Sequence, residues 1–285
     1  MKDVVRVAAV QMEVKWLDVP ANLARMREAV ARLATEGDID LVVFPELASS
    51  GYLKGKERKD FMDFSKAYLA TAQLIPGPFT DSLGKAAQKY GTYIVAGMLE
   101  AHPSVPATIY NSAVLVAPSG EVAGVHRKPH IPSEEKHYFY PGNTTEVYDT
   151  DIGGLGILIC ADNSFPEIAR VLSLKGAEIM CVCYARPRGT APDPNLYYSI
   201  VSCRAYENNN FFIACNRVGT EEDTVFEGRS CICGPRGEFL ARSDSESEEV
   251  LTATLKADDL KTARMRYSRF RDRRPELYDA IVEPF

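Results

Sequence analysis

The stretch LGILICADNSFPEI, residues 155–168, decides the class of fold. Leu155 to Ile159 is apolar throughout, which suits a strand buried on both faces. Ser164 and Glu167 stand at capping-box spacing with Pro166 between them, so a helix is predicted to start there. That helix turns Ile168, Val171 and Leu172 inward and stops at Gly176, before a second apolar run from Glu178 to Cys183. Strand, helix and strand form one α/β unit, and Cys160 falls at the carboxyl end of its first strand. In open α/β sheets, sites form at that end. A thiol at a helix N-terminus also feels the positive end of the helix dipole and unpaired backbone N–H groups, both of which favour thiolate.

The same alternation runs outward in both directions. A strand is predicted near Val4 to Met12, then a helix from about Pro20 to Thr35. Asp18 is placed to cap that helix, Leu23, Met26, Val30 and Leu33 share one face, and Gly37 closes it. A strand Ile39 to Phe44, a helix Pro78 to Tyr90 and a strand Tyr93 to Gly97 follow. Two strands, Ser112 to Ala117 and Val122 to His126, are joined by the turn at 118–120, so the sheet is mixed. Beyond the central unit, Leu196 to Glu207 reads as helix and Phe211 to Asn216, Arg229 to Cys233 and Glu249 to Leu255 as extended chain, with a turn at 235–237 and a charged tail at 264–274. No repeat, low-complexity tract or Gly/Ser linker divides residues 1–285, and a single domain is the simpler expectation.

The 33 basic and 39 acidic residues leave a formal net charge of −6, which argues against a nucleic-acid partner because phosphate binding needs a clustered basic face. With 46% hydrophobic and 25% charged residues, the 285-residue chain can bury a large core. No apolar stretch approaches the roughly 18 residues of a membrane span, and no secretory signal opens the chain, so a cytoplasmic location without membrane contact is expected. Seven cysteines, odd in number and without an export signal, read as reduced thiols. The pairs Cys181/Cys183 and Cys231/Cys233 are too closely spaced for zinc ligands and each share one strand face, so packing is expected of them. The Gly-rich run 151–156 precedes a strand instead of joining strand to helix, so it is no dinucleotide fingerprint.

Two further segments place polar residues at the edge of apolar strands. In LVVFPELASSGY (41–52) Glu46 follows a buried strand, and GVHRKPHIPSEEKHYFYPGN (124–143) holds Lys128, Glu134 and Glu135. Taken singly, Glu46 reads as a solvated loop residue and Lys128 as surface, while Cys160 reads equally as core or as a functional thiol. His126, His130 and His137 near Lys128 raise a Cys–His thiol-protease arrangement, though no protease signature surrounds Cys160.

Together the segments resemble the carbon-nitrogen hydrolase family, or nitrilase superfamily. The likeness lies in FPEL at Glu46, HRKPHIP at Lys128 and ICAD followed by FPE at Cys160, in the family's order. VAAVQM, EKHYFYPGN, NRVGTEE, FEGRSCICGPRGE and DRRPELY extend it over nearly the whole chain. The resemblance implies a four-layer α-β-β-α sandwich, a homodimer or larger assembly with residues 257–285 at a subunit interface, and neither metal nor organic cofactor. It also implies Cys160 as nucleophile, Glu46 as general base and acid with a carboxyl pKa raised by burial, and Lys128 with the Ala161 N–H on the oxyanion. Glu135 matches the family's second glutamate better than Glu134, and both a structural and a catalytic role stay open for it.

The Ala161-Asp162 pair departs from the aromatic-Glu pair of nitrile-hydrolysing members, which favours an amide substrate. Asn163 and Ser164 stand where relatives acting on N-carbamoyl amino acids carry two arginines, so that carboxylate clamp is absent. Arg186 and Arg188, on the same sheet edge as Cys160, are candidates to contact an anionic or carbonyl group of the substrate, with a solvated-surface role equally open. A linear amide or N-carbamoyl compound is therefore expected as small-molecule substrate. A nitrile, transfer of the acyl group to an amine, and a catalytically silent binding or assembly module stand as alternatives.

Overall fold

The structure is a computed structural model that describes residues 1–52 and 61–284, with residues 61–64 described in their backbone alone. The first half runs β1 (Val4–Gln11), α1 (Val19–Glu36), β2 (Leu41–Val43), α2 (Phe61–Thr71), α3 (Pro78–Tyr90), β3 (Tyr93–Ala101), β4 (Ile109–Val116) and β5 (Val122–Arg127). The second runs β6 (Val147–Thr150), β7 (Gly153–Ile159), α4 (Pro166–Leu174), β8 (Ile179–Tyr184), α5 (Leu196–Asn208), β9 (Phe211–Asn216), β10 (Val218–Glu221), β11 (Thr224–Glu227), β12 (Cys231–Cys233), β13 (Phe239–Arg242), β14 (Glu249–Lys256) and α6 (Ala257–Arg266).

Two six-stranded mixed sheets carry the fold, in the orders β14-β1-β2-β3-β4-β5 and β13-β12-β9-β8-β7-β6, while β10 and β11 form a separate hairpin. Alternate side chains of each strand point to opposite faces. Val7, Val43, Val95 and Leu115 from one sheet accordingly meet Leu155, Ile157, Cys181 and Ile213 from the other in a shared inner core. The outer face of the first sheet buries the stripe Met26, Val30 and Leu33 of α1 together with Phe79 and Leu83 of α3. The outer face of the second buries Ile168 and Leu172 of α4 and Tyr197, Tyr198 and Val201 of α5. Helix, sheet, sheet and helix give the four-layer α-β-β-α sandwich.

Local signals account for several boundaries. The Asp18 carboxylate accepts the Ala21 N–H at 3.0 Å, and Gly91 closes α3 at φ 65°. Cys181, Cys183 and Cys215 pack between the sheets, and Cys231 and Cys233 under α5, so five of the seven thiols are core residues. Cys203 lies exposed on α5.

The central unit needs two corrections. A tight 3-10 turn from Cys160 to Ser164 intervenes before α4, whose cap position is Phe165, so Ser164 forms no capping box and Cys160 stands one short turn away from the helix N-terminus. Val171 is 39% exposed and faces outward, while Ile168, Ala169 and Leu172 of α4 lie over the sheet.

Candidate active site

The parallel trios β1-β2-β3 and β7-β8-β9 end close to one another, and the chain leaves both sheets there. Glu46 is three residues past β2, Lys128 directly follows β5, Cys160 follows β7 and Ala185 follows β8. The Glu46 N–H donates to the Tyr184 carbonyl at 3.2 Å, tying the first sheet's turn to the second sheet. Gly97 makes that turn possible: a Cβ there would meet the Pro45 oxygen and come within 2.6 Å of Glu46 Cα. Lys128 is fixed by its backbone, its N–H donating to Asn111 O and its carbonyl accepting from Gly142, each at 2.9 Å.

The Lys128 ammonium is fully buried and donates to Glu46 Oε1 at 2.8 Å and to Glu135 at 2.8 and 3.0 Å. Glu46 also accepts from Asn111 Nδ2 at 2.7 Å and from the Ala185 N–H at 2.8 Å, while Tyr52 donates its hydroxyl to Glu135 at 2.6 Å. Burial alone would lower the Lys128 pKa, but Glu46, Cys160 and Glu135 raise it, so the ammonium persists. Burial pushes the Glu135 carboxyl up, and Lys128 only partly offsets that.

Cys160 is half-buried, and Glu46, Lys128 and Glu135 all act electrostatically on its thiol. Burial and the Glu46 carboxylate drive its pKa well up, and Lys128 only partly opposes them. One ammonium already shares its enclosure with two carboxylates, so a thiolate would add a second uncompensated negative charge. The resting form is the neutral thiol. Burial and the carboxylates thus outweigh the pull toward thiolate that a helix start exerts.

Glu46, Lys128, Glu135 and Cys160 thus come together at the strand ends. Ala161 follows Cys160 in the tight turn and keeps partial exposure. Asn163 is buried, with its Nδ2 donating to the Tyr184 hydroxyl at 2.8 Å. Arg186 is largely buried, pairing with Glu227 at 3.5 Å, donating to the Thr190 hydroxyl at 2.8 Å and covering the Tyr197 ring. Arg188 is half-exposed and pairs with Glu246.

Asp162, His126 and His130 form a group of their own. His126 Nε2 and His130 Nδ1 lie 3.0 and 2.9 Å from the Asp162 carboxylate, and His137 is exposed, which removes the ground for a Cys–His pair. Sequence reasoning passed over Tyr52, Asn111 and this Asp162 group. The only signals for them were Tyr52 closing the FPEL segment and the two histidines flanking Lys128.

A family model described as carbon-nitrogen hydrolase matches residues 6–265. A probable nitrilase of Schizosaccharomyces pombe is 34% identical over 280 residues, covering 98% of each chain. An N-carbamoylputrescine amidase of Arabidopsis thaliana is 32% identical over 284 residues, covering 93% of this chain and 91% of the relative. The crystal structure of a carbon-nitrogen hydrolase from Helicobacter pylori G27 superposes with a TM-score of 0.86 at 28% identity over 99% of both chains. With the sandwich, the strand-end cluster and these matches in agreement, the chain belongs to the carbon-nitrogen hydrolase family, whose members act on C–N bonds.

Proposed function

We propose that the protein hydrolyses a linear amide or N-carbamoyl C–N bond through a thioester at Cys160. The Cys160 thiol gives its proton to Glu46 as sulfur bonds the carbonyl carbon, and the carbonyl π pair moves to oxygen. Lys128 and the Ala161 N–H hold that oxyanion. Collapse breaks the C–N bond, and Glu46 returns the proton to the departing amine. Water, losing a proton to Glu46, then attacks the thioester, and the proton ends on the Cys160 sulfur as the acid leaves. Glu135 keeps Lys128 in place and charged through both steps. Asn163 lines the acyl end, and Arg186 is the better of the two arginine candidates for a substrate carbonyl, since Arg188 is engaged at the surface.

The observation that carries this reading is the buried Lys128 ammonium held at 2.8 Å by both Glu46 and Glu135, three charged groups that all act on the Cys160 thiol. It requires neither metal nor organic cofactor. Among the described residues no cluster of three or more His, Cys, Asp or Glu side chains could hold a metal ion, and no helix is long and apolar enough to cross a membrane. The enzyme would act on a small molecule in the reducing cytoplasm as one domain, paired into a homodimer or larger assembly through residues 257–285. Met265, Leu277, Ile281 and Val282 leave that tail with exposed apolar groups.

A nitrile is the second reading, favoured by the relative named a probable nitrilase at 34% identity. The test is ammonia release from amides, N-carbamoyl compounds and nitriles by the wild type and Cys160→Ala. Release from amides or carbamoyl compounds, lost in Cys160→Ala, is the expected result. Release from nitriles alone would replace the amidase reading, and carbon dioxide appearing with ammonia would select a carbamoyl substrate.

A further inference from the structure

Asp162 lies two residues beyond Cys160, is fully buried, and receives four hydrogen bonds. Oδ1 accepts the backbone N–H of His130 at 3.2 Å and faces His130 Nδ1 at 2.9 Å. Oδ2 accepts the backbone N–H of Ile159 at 2.9 Å and faces His126 Nε2 at 3.0 Å. Ile159 is the residue before Cys160, and His126 and His130 flank Lys128 two residues to either side. One carboxylate therefore joins the chain that carries the thiol to the chain that carries the ammonium. Cys160 itself sits at φ 43°, a left-handed conformation that a residue with a Cβ holds only when its surroundings impose it.

We propose that Asp162 is a positioning residue, a clamp that uses His126 and His130 to hold the Cys160 turn in its left-handed conformation and in register with Lys128. The proposal rests on Cys160 being the nucleophile. A carboxylate is required, and an amide cannot replace it. Each oxygen faces a backbone N–H that cannot become an acceptor, so Asn at this position would set its NH2 group against either His130 N–H or Ile159 N–H in both flips. The two imidazoles can exchange tautomers and adapt, whereas the backbone donors cannot. His130 stacks on Phe165 at 4.1 Å between ring centres, so the clamp also reaches the cap of α4.

The test reads the thiol directly and needs no knowledge of the substrate. Iodoacetamide alkylation of the whole chain is followed by peptide mass at Cys160, with the exposed Cys203 as internal control. Asp162→Asn is expected to slow alkylation at Cys160 about 100-fold, the scale of a displaced reacting group, while Cys203 keeps its rate. His130→Ala, whose side chain is 33% exposed and whose loss leaves the backbone bond intact, serves if Asp162→Asn does not fold. It is expected to slow Cys160 about tenfold. On whichever substrate the ammonia assay identifies, both variants should lower kcat with KM within about threefold, because the clamp touches no substrate atom. The double variant should lose no more than Asp162→Asn alone, since the residues act as one unit. Wild-type alkylation of Cys160 in folded His130→Ala or Asp162→Asn would overturn the clamp. The predicted slowing in the variants, with no hydrolysis of any amide or carbamoyl compound by the wild type, would leave the clamp standing and refute the amidase reading.

Discussion

The buried ammonium of Lys128 lies 2.8 Å from Glu46 Oε1, and neither side chain reaches solvent. The same ammonium is held by Glu135, so a single cation balances two carboxylates in an enclosure where unpaired charge is costly. Removing it strands both acids. Lys128→Ala should therefore abolish turnover and also destabilise the fold by about 3–5 kcal/mol, the range for breaking a buried pair from one side. Chemical denaturation of the two proteins measures this. An inactive variant of unchanged stability would mean that the carboxylates are not charged together as described.

Gly97 shows how far from the chemistry a fault could originate. Its missing Cβ is the space that Pro45 and Glu46 occupy, with Glu46 Cα and Leu47 N both 2.6 Å from where that carbon would sit. Gly97→Ala must push the Glu46 turn away from the sheet. A fall of about 100-fold in kcat with a cooperative unfolding transition retained is the expected outcome, since misplacement of a general base by about 1 Å has that effect. Steady-state kinetics beside a melting curve would check it, and undiminished kcat would show that the turn relaxes without moving the carboxylate.

Asp162 predicts a pH dependence of stability. Burial by itself would raise its pKa, but the hydrogen bonds from His126 and His130 outweigh burial and hold it at about 2, below the ordinary carboxyl value of 3.8. A depressed pKa means that the unfolded chain binds the proton more readily. The carboxylate therefore contributes stability above about pH 4, and that contribution disappears as the pH falls toward 2. A shift from 3.8 to about 2 corresponds to roughly 2–3 kcal/mol. The stability gap between wild type and Asp162→Asn should narrow between pH 5 and pH 3 in urea titrations. A gap that widens on acidification would reverse the assignment of Asp162 as the ionised partner.

Arg186 and Arg188 separate by environment. Arg188→Ala removes a half-exposed surface pair with Glu246 and should leave KM within about twofold. Arg186→Ala removes a largely buried guanidinium, and if it binds a substrate carbonyl or anion, KM should rise about tenfold, the scale of a charged hydrogen bond. Unchanged KM in both variants, across neutral and acidic amides, would take the arginines out of substrate binding.

The α/β class and the strands and helices around Cys160 were legible because apolar period and turn chemistry act locally. Asp18 and Gly91 behave as those rules require. β6, β13 and the hairpin β10–β11 were missed because they are short and lack strong alternation, and α6 because its surface is mostly charged. α2 went unnoticed too, and its first residues lie beside those outside the described range. The three motif residues could be picked out only together, because FPEL, HRKPHIP and ICAD stand in the family's order after apolar strands. Asn111 was hidden because β4 was read as starting at Ser112, one residue too late. Asp162 was visible only as a departure from a family pair, since its partners are 32 and 36 residues away and only the fold brings them together.

The central claim, a covalent acyl group on Cys160, is tested most directly by rapid-quench intact mass of the enzyme during turnover of its best amide or N-carbamoyl substrate. The account predicts a mass gain equal to the acyl group, confined to the peptide containing Cys160, and neither adduct nor ammonia with Cys160→Ala. Ammonia release by Cys160→Ala at the wild-type rate, or an acyl adduct on any other residue, would contradict it.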